Sequence, residues 1–285
     1  MKYQNEIIKC LYERASVRSF TDQKVSDDTL RTIIDAGCHA ATGGNLQPYS
    51  IIEIRSEEKK QALMNTKCMQ PIVKNAPVSL LFCIDWQRIE QWAKANHAPY
   101  AVRQSYRHFW IAFQDTIIAA QNICTAADSL GLGSVYLGTV ESCFDELRPM
   151  FNLPKGVFPV VILSLGYPKK YPEPAKKLMY DDIVHKENYV PSSDNQLNIM
   201  MNKKYDHRTT PLTDKNLNQL YTVAEAIHGK NYAKSSVDYA NEIGHIHEAQ
   251  KYFGLHYVAN EIRKGNQAFL DSLRLAGFEW LDKDF

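Results

Sequence analysis

Hydrophobic residues recur with two different periods over residues 1–170. Spacings of three and four residues, which bury one face of a helix, predict helices over residues 3–13, 26–41, 57–67, 105–130 and 143–151. Runs of mostly apolar residues predict strands over residues 50–55, 78–85, 133–139 and 157–165. Because the two kinds of element do not alternate strictly, the pattern predicts an α+β fold with helices on the faces of a sheet.

The hydrophobic pattern changes near residue 192. Strand-like runs end there, and the chain continues with three helical stretches over residues 214–228, 235–263 and 266–281. We therefore predict a first domain of residues 1–192 and a helical C-terminal extension of residues 193–285.

A segment rich in aromatic residues precedes the long helix of residues 105–130. It contains Trp86, Trp92 and Tyr100 but shows little periodicity. Such a segment is typical of a surface loop that covers a site, so we predict a mobile lid between residues 86 and 106.

The charge balance narrows the classes of partner. The chain has 33 basic and 32 acidic residues, a formal net charge of +1, so it lacks the broad basic surface that nucleic-acid binding needs.

Polar residues interrupt the most apolar helix, and we expect no membrane partner. The six cysteines contain no C-x-x-C pair, so we expect neither a metal site nor disulfides. The polar N-terminus has no leader sequence, which favours a cytoplasmic location.

The strongest candidate for local chemistry is the stretch Arg14–Phe20. Arg14 and Arg18 lie four residues apart, with hydroxyl groups at Ser16 and Ser19. Guanidinium groups can bind phosphate oxygens bidentately, and a serine hydroxyl can complete such a shell. An exposed basic turn with serine caps explains the same residues without any ligand.

A second candidate is the loop Thr42–Tyr49, whose glycines Gly43 and Gly44 permit unusual backbone angles and close approach to a ligand. Together with the arginine stretch it belongs to a series of five short motifs: Arg14–Phe20, Ala41–Tyr49, Gly131–Gly138, Pro154–Gly156 with Gly166–Pro168, and Lys177 before Asp181–Asp182. In this order the motifs resemble those of the nitroreductase family of FMN-dependent oxidoreductases.

The resemblance implies a nitroreductase-like central mixed sheet flanked by helices, and an intertwined homodimer with two FMN sites at its interface. It also implies an FMN site built from four segments. The implied cofactor-binding residues are Arg14, Ala15, Ser16 and Arg18; Thr42, Gly43, Asn45 and Gln47, reaching the FMN of the partner subunit; Leu137, Gly138 and Thr139 beside the isoalloxazine; and Lys176 and Lys177 at the phosphate.

Four positions depart from the family pattern. Thr42 and Gly43 replace Pro-Ser, Tyr49 replaces Trp, and Lys177 replaces an arginine. Lysine keeps the charge but loses the planar fork of donors. The lost serine hydroxyl leaves only backbone donors at Gly43. These differences lead us to expect weaker retention of FMN.

The implied mechanism is ping-pong. NAD(P)H passes a hydride to FMN and leaves, and a nitroaromatic, quinone or similar small electron acceptor then takes its place. Since the flavin carries the chemistry, we assign no catalytic residue to the protein. Two other functions stay open: a flavin-binding protein without turnover whose C-terminal helices mediate interaction, and a specialised reductive enzyme such as a dehalogenase.

Overall fold

One sheet lies at the centre of residues 3–174. A computed structural model describes residues 3–205 and 208–281 of the chain. The strands are β1 (Tyr49–Ile54), β2 (Val78–Asp85), β3 (Gly133–Leu137) and β4 (Val157–Gly166). They lie in the order β1-β2-β4-β3, and each of these neighbouring pairs is antiparallel. A parallel bridge between Ser16 and Ser134 adds the N-terminal segment beside β3.

Helices cover this sheet, which confirms the α+β fold. They are α1 (Glu6–Glu13), α2 (Asp27–Cys38), α3 (Glu57–Met64), α4 (Ile72–Asn75), α5 (Trp86–Ala95), α6 (Tyr106–Ser129) and α7 (Phe144–Met150). Side chains just before several of these helices accept hydrogen bonds from their first turns, as Ser26 Oγ does from the Thr29 amide at 3.1 Å. The long helix α6 buries a stripe of small residues, and α2 packs on it so closely that a Cβ atom on Gly37 would lie within 3 Å of Ile123.

The predicted mobile lid over residues 86–106 is wrong. Asp85 accepts a hydrogen bond from the Arg88 amide at 3.0 Å and starts α5. Trp86 is buried in the core, and the Tyr100 hydroxyl donates to its carbonyl oxygen at 3.1 Å. The segment therefore belongs to the packed structure, although Trp92 stays exposed.

The expectation of no disulfides is also wrong. Cys68 and Cys143 are joined, with Cα atoms 5.9 Å apart across 75 residues of chain. Both residues are buried. The fold brings the segment after α3 against the turn that follows β3, where the Thr139 hydroxyl also donates to the Cys68 carbonyl oxygen at 2.7 Å.

The chain divides into compact units differently from the predicted domains 1–192 and 193–285. One unit contains residues 1–174 and 267–285, and the other contains Ala175–Asn266. The last segment belongs to the first unit because Phe278 packs against Phe109 in its core, with ring centroids 5.0 Å apart. Leu273 is also buried there.

The second unit is helical. Its helices are α8 (Tyr180–Ile183), α9 (Asp194–Tyr205), α10 (Asp214–His228), α11 (Lys230–Ile243) and α12 (Glu248–Gln250), followed by a π-helical turn over Lys251–His256. The single helix predicted over residues 235–263 is wrong, because Gly244 takes a left-handed φ of 75° and ends α11. Asn266–Leu275 forms α13, which belongs to the first unit from Gln267 onward. Among the described residues no helix is long and apolar enough to cross a membrane.

The replacement Gly133→Ala tests how the N-terminal segment is packed. A Cβ atom at Gly133 would lie within 3 Å of side-chain carbons of the buried Val17. We expect the free energy of unfolding to fall by about 1–3 kcal/mol, since such overpacking strains a core. Urea denaturation measures this change. Gly265→Ala is the control, because a Cβ atom there meets nothing within 4 Å. Equal stability of the two variants would contradict the close packing.

Candidate functional site

The arginine-rich segment is held in an extended conformation at the edge of the sheet. The Val17 amide donates to the Ser134 carbonyl oxygen at 2.9 Å, and the Thr21 amide donates to the Tyr167 carbonyl oxygen at 2.8 Å. Side chains alternate between faces along an extended chain. Ala15 and Val17 are accordingly buried, while Ser16 is half-buried and Arg18 exposed.

Arg14 lines a cavity of about 730 Å³ together with Asp128 and Tyr171. Its side chain is 26% exposed, and its Nε atom lies 3.8 Å from Asp128 Oδ2, beyond hydrogen-bonding distance. Within residues 3–205 and 208–281, the buried Nε and Nη2 atoms of Arg14 have no hydrogen-bond acceptor. A buried guanidinium with unused donors is suited to binding an anion.

Asp128 is the carboxylate beside this guanidinium. Its side chain is only 6% exposed, and its Oδ1 atom has no donor among the described residues. Burial raises the pKa of Asp128 to about 6, although the charge of Arg14 and a contact from the Cys124 thiol act in the opposite direction. Arg14 and Asp128 therefore form an ion pair in which each residue still has a buried polar atom without a hydrogen-bond partner among the described residues.

Arg18 lines a different cavity, of about 900 Å³, at the other end of the segment. Two further cations there are paired: Arg55 Nη1 lies 2.9 Å from Asp27, and Lys60 Nζ lies 3.1 Å from Glu57. The two arginines of the motif thus face separate cavities in this chain, rather than one.

The Thr42–Gln47 loop lies against α6 and lines neither of these cavities. The Gly43 amide donates to both carboxylate oxygens of Asp115 at 3.1 Å. Burial raises the pKa of Asp115, and the Gly43 hydrogen bond partly offsets this. Because this amide is already engaged, it does not offer the free backbone donor that we expected at Gly43.

Gln47 stabilises the loop through hydrogen bonds within it and to the residues on either side. Its amide nitrogen donates to the Cys38 carbonyl oxygen at 3.0 Å and contacts the Tyr49 hydroxyl at 3.3 Å, and its backbone amide donates to Thr42 Oγ1 at 3.3 Å. Asn45 and Gln47 have φ angles of 56° and 48°, a strained left-handed conformation. Asn45 remains exposed.

The other predicted contacts lie in two places. Leu137 is buried at the end of β3, whereas Gly138 and Thr139 are exposed just beyond it. Lys176 and Lys177 are exposed and belong to the second compact unit. Their assignment to the phosphate stays a prediction.

Asp115 and Asp128 are the site residues that sequence reasoning missed. Both are among the polar residues that interrupt the most apolar helix of the chain. Each follows the buried stripe of α6 at helical spacing, Asp115 between Ala112 and Ala119. A carboxylate on the buried face of a helix needs a partner, and that signal was available in the sequence.

Comparison with known proteins places this geometry in a family. The family model "Nitroreductase family" matches residues 11–167. The chain belongs to the nitroreductase family. It is 31% identical over 216 residues to the FMN reductase [NAD(P)H] of Bacillus subtilis, covering 72% of this chain and 87% of that protein.

Two solved structures extend this likeness to the fold. B. megaterium NfrA2 superposes with a TM-score of 0.71 at 26% identity, covering 96% of this chain and 98% of that one. The NADPH:FMN oxidoreductase from Vibrio harveyi, complexed with NAD+, gives a TM-score of 0.64 at 30% identity, covering 71% of this chain and 87% of that one. The similarity to NfrA2 includes most of both compact units.

Adding a side chain at Gly43 should destabilise this protein. A Cβ atom at Gly43 would lie 2.9 Å from the branched Ile111 Cγ2. We expect Gly43→Ser to lower the free energy of unfolding by about 1–3 kcal/mol. In an Ile111→Ala background, which removes that methyl group, the same change should cost much less. A double-mutant cycle from urea denaturation measures the difference. Equal costs in the two backgrounds would rule out this clash.

Proposed function

We infer that this chain is an FMN-dependent NAD(P)H oxidoreductase. Membership of the nitroreductase family and similarity to proteins named FMN reductase and NADPH-flavin oxidoreductase support this inference. A further relative, 33% identical over 184 residues, is the oxygen-insensitive NADPH nitroreductase of Salmonella typhimurium. We propose a nitroaromatic, quinone or similar small molecule as the acceptor. Since NAD(P)H is an intracellular reductant, we also propose a cytoplasmic location.

The observation that carries the proposal is the buried, unsatisfied guanidinium of Arg14. An FMN phosphate supplies the oxygen acceptors that its Nε and Nη2 atoms lack. The residues present therefore fit the cofactor. We propose that Ser16, half-buried on the same extended segment, adds its hydroxyl. Arg18 lines a different cavity from Arg14, so its contact with the same FMN stays a prediction.

The remaining proposed contacts differ in what they can offer. Thr139 is exposed, but its hydroxyl is used by the Cys68 carbonyl oxygen, so the backbone at Gly138 and Thr139 is the surface left for a flat ring. Ala15 is buried and can contribute only its backbone. We propose that Lys176 and Lys177 add positive charge at the phosphate.

FMN, when bound, supplies the two-electron chemistry, accepting a hydride from NAD(P)H and returning electrons to the acceptor. We propose that the two substrates use one open site in turn, which is ping-pong kinetics. The protein's part is to hold the ring in place and to leave one face accessible. Under this proposal no side chain acts as a catalytic acid or base.

Absorbance spectroscopy tests the function directly. We expect the purified protein, or the protein after addition of FMN, to carry a flavin spectrum that bleaches anaerobically with NADH or NADPH. A nitroaromatic or quinone should then restore the colour, and steady-state plots against both substrates should give parallel lines. A stable flavin complex that NAD(P)H fails to bleach would indicate a flavin-binding protein without turnover.

We also propose that the protein is an intertwined homodimer. The long helix α6 exposes Ile117 and Ile118, and α1 exposes Ile7 and Leu11. These two helices touch, because Cys10 of α1 contacts the Thr125 carbonyl oxygen of α6. Exposed aliphatic residues on two adjoining helices are typical of a surface covered by another subunit. The exposed tip of the Thr42–Gln47 loop is free to reach a partner's cofactor.

The replacement Ile118→Glu tests this interface. Ile118 is 44% exposed in the single chain, so the replacement leaves the monomer fold intact, while a buried charge at a dimer interface is strongly unfavourable. We expect light scattering to give twice the chain mass for the wild type and the chain mass for the variant. Ile262→Glu, at a residue 58% exposed in the second unit, is the control. A monomeric wild type would exclude the dimer.

A further inference from the structure

The cavity at Arg14 contains more negative than positive charge. Its acidic and basic lining residues are Glu6, Lys9, Glu13, Arg14, Asp128 and Glu173, four carboxylates against two cations. An anionic phosphate that binds at Arg14 therefore enters an acid-rich environment. Like charges at close range disfavour each other's ionised form, so one of the acids is expected to change its protonation state.

Asp128 is the acid placed to respond. It is the carboxylate closest to Arg14 and the most buried of the four, since Glu6, Glu13 and Glu173 are exposed to solvent. Water screens exposed charges far more than buried ones. Its Oδ1 atom accepts no hydrogen bond in the described parts of the chain, so it can be protonated without breaking one.

Two cysteines and two tyrosines near Asp128 stay neutral. Burial raises the pKa of Cys10 on α1, Cys124 on α6, Tyr136 on β3 and Tyr171 after β4. These four groups therefore do not compete with Asp128 for a proton near neutral pH. Tyr3 and Tyr12 also line the cavity.

We propose that Asp128 takes up a proton when the phosphate of FMN binds at Arg14. This inference rests on the proposed function, in which Arg14 holds that phosphate. Protonation removes the negative charge beside the phosphate and leaves both free guanidinium donors of Arg14 to the ligand. Asp128 thus acts as a positioning residue that couples cofactor binding to pH.

The expected sign is proton uptake. Burial raises the pKa of Asp128 to about 6, and a neighbouring phosphate raises it further, so binding near pH 7 takes up a proton. A phosphate monoester has a second pKa of about 6. The guanidinium of Arg14 favours its dianion, whereas the carboxylates of the cavity favour its monoanion. Loss of the uptake in Asp128→Asn is therefore what assigns it to Asp128.

Isothermal titration calorimetry measures this proton directly. FMN is titrated into the full-length protein, freed of flavin, at pH 7 in buffers with different heats of ionisation. We expect the wild type to take up about half a proton or more per FMN bound. Asp128→Asn should abolish the uptake, whereas Glu13→Gln, a change at an exposed carboxylate of the same cavity, should keep it.

Two further measurements complete the test. In the wild type the uptake should disappear at pH 5, where both Asp128 and most of the FMN phosphate are already protonated before binding. Uptake that persists at pH 5 would contradict the role of Asp128, even if Asp128→Asn does not fold. Arg14→Ala should weaken FMN binding about tenfold or more, the effect of losing charge-assisted hydrogen bonds.

The outcomes separate the inference from the function on which it rests. FMN binding without proton uptake, or uptake that persists in Asp128→Asn, would overturn the role of Asp128 alone. Unchanged affinity in Arg14→Ala would place the phosphate elsewhere and overturn the inference, while the flavin chemistry stands. A wild-type protein that binds no FMN would reject the proposed function itself.

Discussion

The site depends on how closely one extended segment packs against two glycines. Val17 occupies the space that a side chain at Gly133 would fill, and Phe20 lies where one at Gly166 would reach. With these two side chains fixed in the core, the residues between and before them have no freedom to turn inward. The alternation of an extended chain then leaves Arg14 beside the last turn of α6. The position of the guanidinium is thus a consequence of core packing.

That packing leaves Arg14 and Asp128 in an ion pair whose geometry is poor. A buried ion pair stabilises a protein only when its geometry is good and its remaining polar atoms are satisfied. Arg14 and Asp128 meet neither condition, because their closest atoms are 3.8 Å apart and both carry unpartnered buried atoms in the described structure. Violations of this kind occur where function requires them. The incomplete pair thus marks the site independently of the family motif.

Much of the fold could be predicted from the sequence, and the failures have physical causes. β2 and α10 begin and end at the predicted residues, because an unbroken apolar run and a regular helical stripe each allow one interpretation. Residues 86–106 have no clear period because their contacts are tertiary: Trp86 packs into the core through neighbours distant in sequence. The disulfide between Cys68 and Cys143 could not be predicted either, because no local sequence pattern relates residues 75 positions apart. The return of Phe278 to the first unit depends on the same kind of contact.

The sequence motifs named candidate donors but no candidate acceptors, and this asymmetry has a reason. A motif consists of residues at fixed spacing, so Arg14 and Arg18 can be recognised in the sequence. The carboxylates near such donors lie on α6, at positions that depend on how the helix packs. Asp115 accepts hydrogen bonds from the Gly43 amide and so fixes the shape of the glycine loop. Asp128 has no such hydrogen bond to Arg14. Asp115 therefore stabilises the loop, whereas Asp128 leaves the guanidinium of Arg14 available to a ligand. The proposed proton uptake on ligand binding depends on Asp128.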